Sequence, residues 1–71
     1  MRLQIKIELL EYIQNMRDHV ANELQSQQQI EQGFETAFNP EFHQLILNHI
    51  SHCQKLIAKF DRWLKEIEND K

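Results

Sequence analysis

The feature that most constrains this chain is the near absence of residues that break helices. Its 71 residues include one glycine and one proline, which lie close together at Gly33 and Pro40. Turns and sheets draw heavily on both residue types, so this pattern favours long elements joined by a single connection. The sequence therefore predicts an all-α protein, a two-helix antiparallel hairpin that forms a single domain over residues 1–71.

Local signals place the ends of the two helices. Helix 1 is predicted over residues 3–32, the connection over 33–39 and helix 2 over 40–69. Asn39-Pro40-Glu41 favours a helix start, because asparagine can cap, proline suits the first helical position and glutamate suits the positive end of the helix dipole. Gly33 is typical of the position where a helix stops.

Two stretches at the helix ends admit a second interpretation. Residues 3–9 alternate apolar and polar side chains with a period of two, which is typical of a strand. A lone strand would have no partner in this chain, so we interpret the stretch as helix. In the connection, Phe34 and Phe38 are expected to fold back over the end of the helix pair, or to extend helix 1 by another turn.

Helix 2 carries an apolar seam with heptad spacing, its members alternately four and three residues apart. The seam consists of Phe42, Ile46, His49, Cys53, Leu56, Phe60, Trp63 and Ile67. A flank of Leu45, Ile50, Ile57 and Leu64 widens it, as is typical of a helix with more than one neighbour. We therefore expect the hairpin to dimerise into a four-helix bundle or to pack on a helical partner protein. The expected contact residues are Phe42, Ile46, Ile50, Leu56, Ile57, Phe60, Trp63 and Leu64.

A weak candidate for a metal site is visible on the seam. His49 and Cys53 lie four residues apart, and ligands with this spacing can share one ion. In a hairpin that turns near residue 36, His19 falls close to residues 52–55, which completes a set of His19, His49 and Cys53. The same seam positions also suit a buried cysteine and a hydrogen-bonded histidine, and a fourth ligand is missing. We therefore predict no metal and no other cofactor.

A basic row is the second polar pattern on helix 2. His52, Lys55, Lys59 and Arg62 follow helical spacing and form one stripe, the arrangement that phosphate backbones require. In length and architecture the chain resembles the plasmid copy-number regulators, in which a dimer of helical hairpins grips paired RNA loops. The net charge of −3 disfavours nucleic acid as a partner, and a solvated helix face has the same appearance. A dimeric RNA-binding regulator is the alternative function.

Catalysis and membrane insertion are not predicted. Ser51 and His52 are adjacent on a helix, where side chains point about 100° apart, so they cannot form a nucleophile–base pair. We expect no enzyme and no small-molecule substrate. No apolar run reaches the length of a membrane span, and no secretory signal is visible. The single cysteine, Cys53, fits a reducing compartment, so we expect a cytoplasmic protein.

These observations favour a protein whose activity is binding. The length, the two helices, the break in mid-chain and the apolar second helix are similar to those of the small type III secretion needle chaperones. The predicted function is a small non-enzymatic protein-interaction module, whether adaptor, chaperone or regulatory subunit, that acts through helix–helix packing. Its expected partner is a second copy of itself or another helical protein.

Overall fold

The computed structural model describes residues 2–33 and 37–69, and two long helices make up nearly all of this part. Helix α1 spans Leu3–Glu31 and helix α2 spans Pro40–Glu68. The helices pack against each other in an antiparallel pair, which confirms the all-α helical hairpin. The pair measures 53 × 14 × 12 Å, so it is one layer of helices. Over the described residues, neither helix is long and apolar enough to cross a membrane.

Polar contacts between the helices record their antiparallel register. Near the open end of the hairpin the Lys6 ammonium donates to the Glu68 carbonyl over 3.2 Å. Arg17 forms an ion pair with Asp61 about three turns further along α1. The hydrogen bond and the charge of Asp61 both raise the pKa of Arg17.

The start of α2 follows the predicted signal. The Phe42 backbone N–H donates to the Asn39 side-chain oxygen over 3.1 Å, Pro40 occupies the first turn and Glu41 follows it. This arrangement satisfies one of the backbone donors that a helix leaves open at its start, and it places a negative charge at the positive end of the helix dipole.

Helix α1 ends at Glu31, two residues before Gly33, the predicted stop. The Gly33 N–H donates to the Ile30 carbonyl over 2.9 Å, which tightens the last turn, and no described residue has a left-handed backbone. A Cβ atom at Gly33 would lie 3.0 Å from the Ile30 carbonyl oxygen. Glycine therefore suits this position because the backbone approaches closely, and not because it adopts positive φ.

The two ambiguous stretches have different outcomes. Residues 3–9 belong to α1, and their period-two pattern leaves Leu3, Ile5 and Ile7 exposed. Phe38 is 73% exposed, so the expectation that it covers the end of the helix pair is wrong. Phe34 and positions 35 and 36 of the predicted connection lie outside the described residues. The expectation for Phe34 therefore stays a prediction.

The core is small and follows one line on each helix. The buried apolar residues are Ile13 on α1 and Ile46, Cys53 and Phe60 on α2. The three on α2 are seven residues apart, so they form a single row. Leu56 on one side of this row and Ile57 on the other are both half-buried. The seam is therefore centred on the Cys53 row, and the two helices of one chain already occupy its middle.

This centring changes the role of two predicted contact residues. Ile46 and Phe60, which we expected at an interface with a partner, are buried inside the hairpin itself. Helix α1 is joined to α2 through a short connection, so it takes the centre of the apolar stripe and leaves only the edges for another molecule. Of the predicted flank, Leu45 is exposed, whereas Ile50, Ile57 and Leu64 are half-buried.

Candidate functional site

The two lateral sides of the hairpin differ in their apolar character. The row of Ile13 on α1 consists of positions 6, 13, 20 and 27, seven residues apart like the Cys53 row on α2. Residues one before or three after a member of either row project to the same side of an antiparallel pair. Six of the ten exposed large apolar side chains of the described residues lie on this side. We call this side of the hairpin the Trp63 side and its exposed apolar surface the Trp63 face. The face consists of Ile5, Tyr12, Met16, Ile30, Leu45 and Trp63.

The Trp63 face contains an apolar groove near the open end of the hairpin. The groove has a volume of 370 Å³, and its only charged lining residue is Glu66. The complete lining is Leu9, Tyr12, Ile13, Met16, Trp63, Glu66 and Ile67. An apolar surface of this kind that is rimmed by polar residues is typical of an interaction site.

Packing holds Trp63 at the edge of this groove. Its ring meets the buried ring of Phe60 edge to face, with centroids 5.7 Å apart and planes at 64°. The Lys59 ammonium lies 5.8 Å from the Trp63 ring centroid, within the range of a cation–π contact. Trp63 is thus pre-positioned while 39% of its surface remains exposed.

The groove on the opposite side has a different lining. Its volume is 510 Å³, and four of its six lining residues are polar or charged. The lining consists of Leu10, Glu11, Gln14, Asn15, Leu64 and Glu68. Leu64, a predicted contact residue, therefore belongs to a more polar surface than Trp63 does.

The structure divides the predicted contact residues among three places. Phe42, Leu56 and Trp63 lie on the Trp63 side of the Cys53 row by helical register. Ile50, Ile57 and Leu64 lie on the other side, and Ile46 and Phe60 lie between the helices. Sequence reasoning missed the contribution of α1, above all Tyr12 and Met16. Their spacing with Leu9, three and four residues apart in turn, was the available signal.

A polar cluster interrupts the Trp63 side further from the open end. The ligand-type atoms of Glu23, His49 and Cys53 all lie within 4.8 Å of one another. The His49 Nε2–H donates to Glu23 Oε1 over 2.8 Å. The Cys53 side chain is 2% exposed, and this burial, followed by the negative charge of Glu23, raises the pKa of its thiol.

The cluster corrects the predicted set of ligands. It contains His49 and Cys53, as predicted, but Glu23 takes the place that we gave to His19. His19 is exposed and is not part of the group. A second pair of the same type lies on the opposite side, where the His43 Nε2–H donates to Glu31 Oε1, also over 2.8 Å. No cysteine accompanies that pair, because Cys53 is the only one in the chain.

The basic row occupies the outer edge of the Trp63 side. His52, Lys55, Lys59 and Arg62 are all exposed on α2. They lie one residue before or two after the Cys53 row, so they adjoin the apolar groove through Lys59 and Trp63. The structure therefore combines an apolar face with a cationic margin.

Comparisons of the chain with protein-family models, with curated proteins and with solved structures found no match. The candidate function therefore depends on the geometry of the chain.

Proposed function

We propose that this chain is a non-enzymatic protein-interaction module that acts through helix–helix packing, as an adaptor, chaperone or regulatory subunit, and that its first partner is a second copy of itself. The observation that carries the proposal is the concentration of exposed apolar side chains on the Trp63 face. Monomeric proteins rarely leave a large apolar surface in water, and aromatic side chains such as Trp63 and Tyr12 are typical anchors of interfaces.

The thickness of the hairpin supports the choice of a second copy. Stable domains pack at least two layers of secondary structure around a core. This hairpin is a single layer, and the part that the structure describes buries only four apolar side chains. A second copy brings an identical face, so a two-fold axis can place one Trp63 face on the other. Two hairpins packed in this way form a four-helix bundle.

The test is the mass of the chain in solution, measured by light scattering after size exclusion over a concentration series. We expect twice the chain mass of 8.6 kDa. Tyr12→Glu should raise the dissociation constant of the dimer at least about tenfold, because it places a charge on the apolar face. Tyr12 is 63% exposed in the hairpin, so its replacement should leave the helices of the monomer intact.

A matched pair of variants separates this face from a general effect of added charge. Trp63 and Leu47 are 39% and 41% exposed on the same helix, but Leu47 lies away from the Trp63 face. Trp63→Glu should dissociate the assembly, whereas Leu47→Glu should leave its mass unchanged. A chain that is helical and monomeric at every concentration, or equal effects at the two positions, overturns the proposal of self-association through this face.

The second candidate is a dimeric RNA-binding regulator, and the exposure of all four members of the basic row favours it. Such a protein needs cations aligned along a phosphate backbone. Lys59→Glu should weaken binding to a structured RNA by about tenfold or more at low salt, whereas Lys65→Glu, outside the row on the same helix, should not. RNA affinity that is undetectable in wild-type protein, or equally sensitive at both positions, rejects this candidate.

A further inference from the structure

The cluster of Glu23, His49 and Cys53 has the chemistry of a metal site. It brings together a carboxylate oxygen, an imidazole nitrogen and a thiol sulfur, with all three atoms within 4.8 Å of one another. Calcium and magnesium prefer oxygen ligands alone, whereas zinc accepts all three of these donors. The mixed set therefore disfavours calcium and magnesium and suits zinc.

The distances require little movement. Ligand atoms around a tetrahedral zinc ion lie about 2.0–2.3 Å from the metal, which places them roughly 3.3–3.8 Å from one another. The 2.8 Å hydrogen bond between His49 and Glu23 must open slightly, and the other separations must close from at most 4.8 Å. Side-chain rotations that move the ligand atoms by about 1 Å can achieve both, because His49 and Cys53 are fixed one turn apart on a single helix.

Burial and charge also suit an ion at this place. Cys53 is buried between the helices, His49 is half-buried and Glu23 is exposed, so an ion would lie at the margin of the helix contact with one side open to water. On binding, the Cys53 thiol releases one proton to solvent and a zinc–sulfur bond forms. The His49 ring gives up its Nε2 proton and takes one up at Nδ1, so it stays neutral while Nε2 binds the ion. The resulting thiolate and the Glu23 carboxylate together neutralise the two positive charges of the ion, which lowers the cost of placing it at a half-buried site.

We propose that Glu23, His49 and Cys53 form a zinc site that ties α1 to α2, with water as the fourth ligand. All three ligands come from one chain, so a single hairpin can form the site without a second copy. Because one ligand lies on α1 and two lie on α2, binding stabilises the hairpin relative to the unfolded chain.

The chain provides a matched control for this proposal. The pair of His43 and Glu31 has the same 2.8 Å hydrogen bond between the same atom types as the pair of His49 and Glu23. It differs in having no thiol nearby, since the only cysteine belongs to the other cluster. If the thiol-containing cluster is the site, only the pair of His49 and Glu23 responds to zinc.

The experiment is a titration of tag-free, reduced protein with zinc, followed by calorimetry and by thermal unfolding. We expect one equivalent per chain and a rise in Tm. His49→Gln and Cys53→Ser should weaken binding more than about 100-fold, since changes outside the ligand shell alone cost about 10- to 100-fold. His43→Gln should bind zinc as the wild type does. Circular dichroism without metal checks that each variant is folded.

A spectroscopic measurement keeps the test independent of variant folding. Cobalt substituted for zinc in the wild-type protein should show the near-ultraviolet charge-transfer absorption of a metal–thiolate bond. Absence of this absorption, a stoichiometry other than one per chain, or zinc affinity that is unchanged in folded His49→Gln protein overturns the proposal.

Discussion

At the scale of single residues, the Asn39 side chain determines where α2 begins. Its oxygen accepts from the Phe42 N–H, and Pro40 occupies the first turn directly after it. Both features were readable from the sequence, because capping depends on neighbouring residues alone. Local chemistry of this kind is the part of a fold that a single sequence predicts best.

Asn39→Ala should lower the free energy of unfolding by about 1 kcal/mol, because a backbone donor at the start of α2 loses its partner. Urea unfolding at one fixed protein concentration measures the change, since assembly would otherwise contribute. Asn39→Asp is the control, because it retains an acceptor oxygen at the same position and should stay close to the wild type. Equal stability of the alanine variant and the wild type would show that this cap contributes nothing.

The ligand cluster shows where prediction at the residue scale fails. The sequence correctly joined His49 to Cys53, which share one helix, but chose His19 over Glu23 on the other helix. Relative to the row of Ile13, His19 projects about 100° from the contact line and Glu23 only about 60°. The choice between them depends on how α1 is rotated against α2, and a sequence pattern does not fix that angle to within 40°.

At the scale of elements, the two helices are held unevenly. Helix α2 contributes three buried apolar residues and α1 contributes Ile13 alone. Near the end of α1, residues 25–29 are all polar, and of these only Gln27 is half-buried. Local stability follows the number of buried apolar contacts, so this end of α1 should open more easily than its middle.

Native-state hydrogen exchange tests this difference within α1. The amides of residues 25–29 should be protected at least about tenfold less than those around Ile13. Gln27 lies in the row of Ile13, two heptads further on, so Gln27→Leu should raise protection in this stretch by extending the apolar row. Gln28→Leu is the control, since Gln28 is exposed beside the row. Uniform protection along α1, or an equal gain at both positions, contradicts this account.

The seam of α2 illustrates how a pattern can predict an element and still misplace its partner. The spacing from Phe42 to Ile67 indicates a broad apolar stripe, and the structure has such a stripe on a helix. The sequence pattern alone does not specify which row of the stripe faces the neighbouring helix. Only the position of α1 shows that the contact between the helices is centred on Ile46, Cys53 and Phe60. The apolar side chains of the Trp63 face then stay exposed.

At the scale of the whole molecule, the hairpin itself was predictable and its surroundings were not. One break in the sequence, at Gly33 and Pro40, is enough to specify two helices, and a short connection makes them antiparallel neighbours. An assembly depends on contacts between surfaces of different chains, and these are not specified by neighbouring residues in one sequence. The four-helix bundle therefore remains a proposal, based on the Trp63 face and on the single layer of the hairpin.

The first turns of α1 and the last turns of α2 lie side by side, where Lys6 contacts Glu68. Tension applied across this end would load the interhelical contacts one after another and not in parallel. Lys6 and Glu68 would separate first, the ion pair of Arg17 and Asp61 next, and the cluster of Glu23 and His49 later. Against heat the hairpin is therefore stabilised by its whole contact, whereas against tension at this end only one turn of contacts resists at a time.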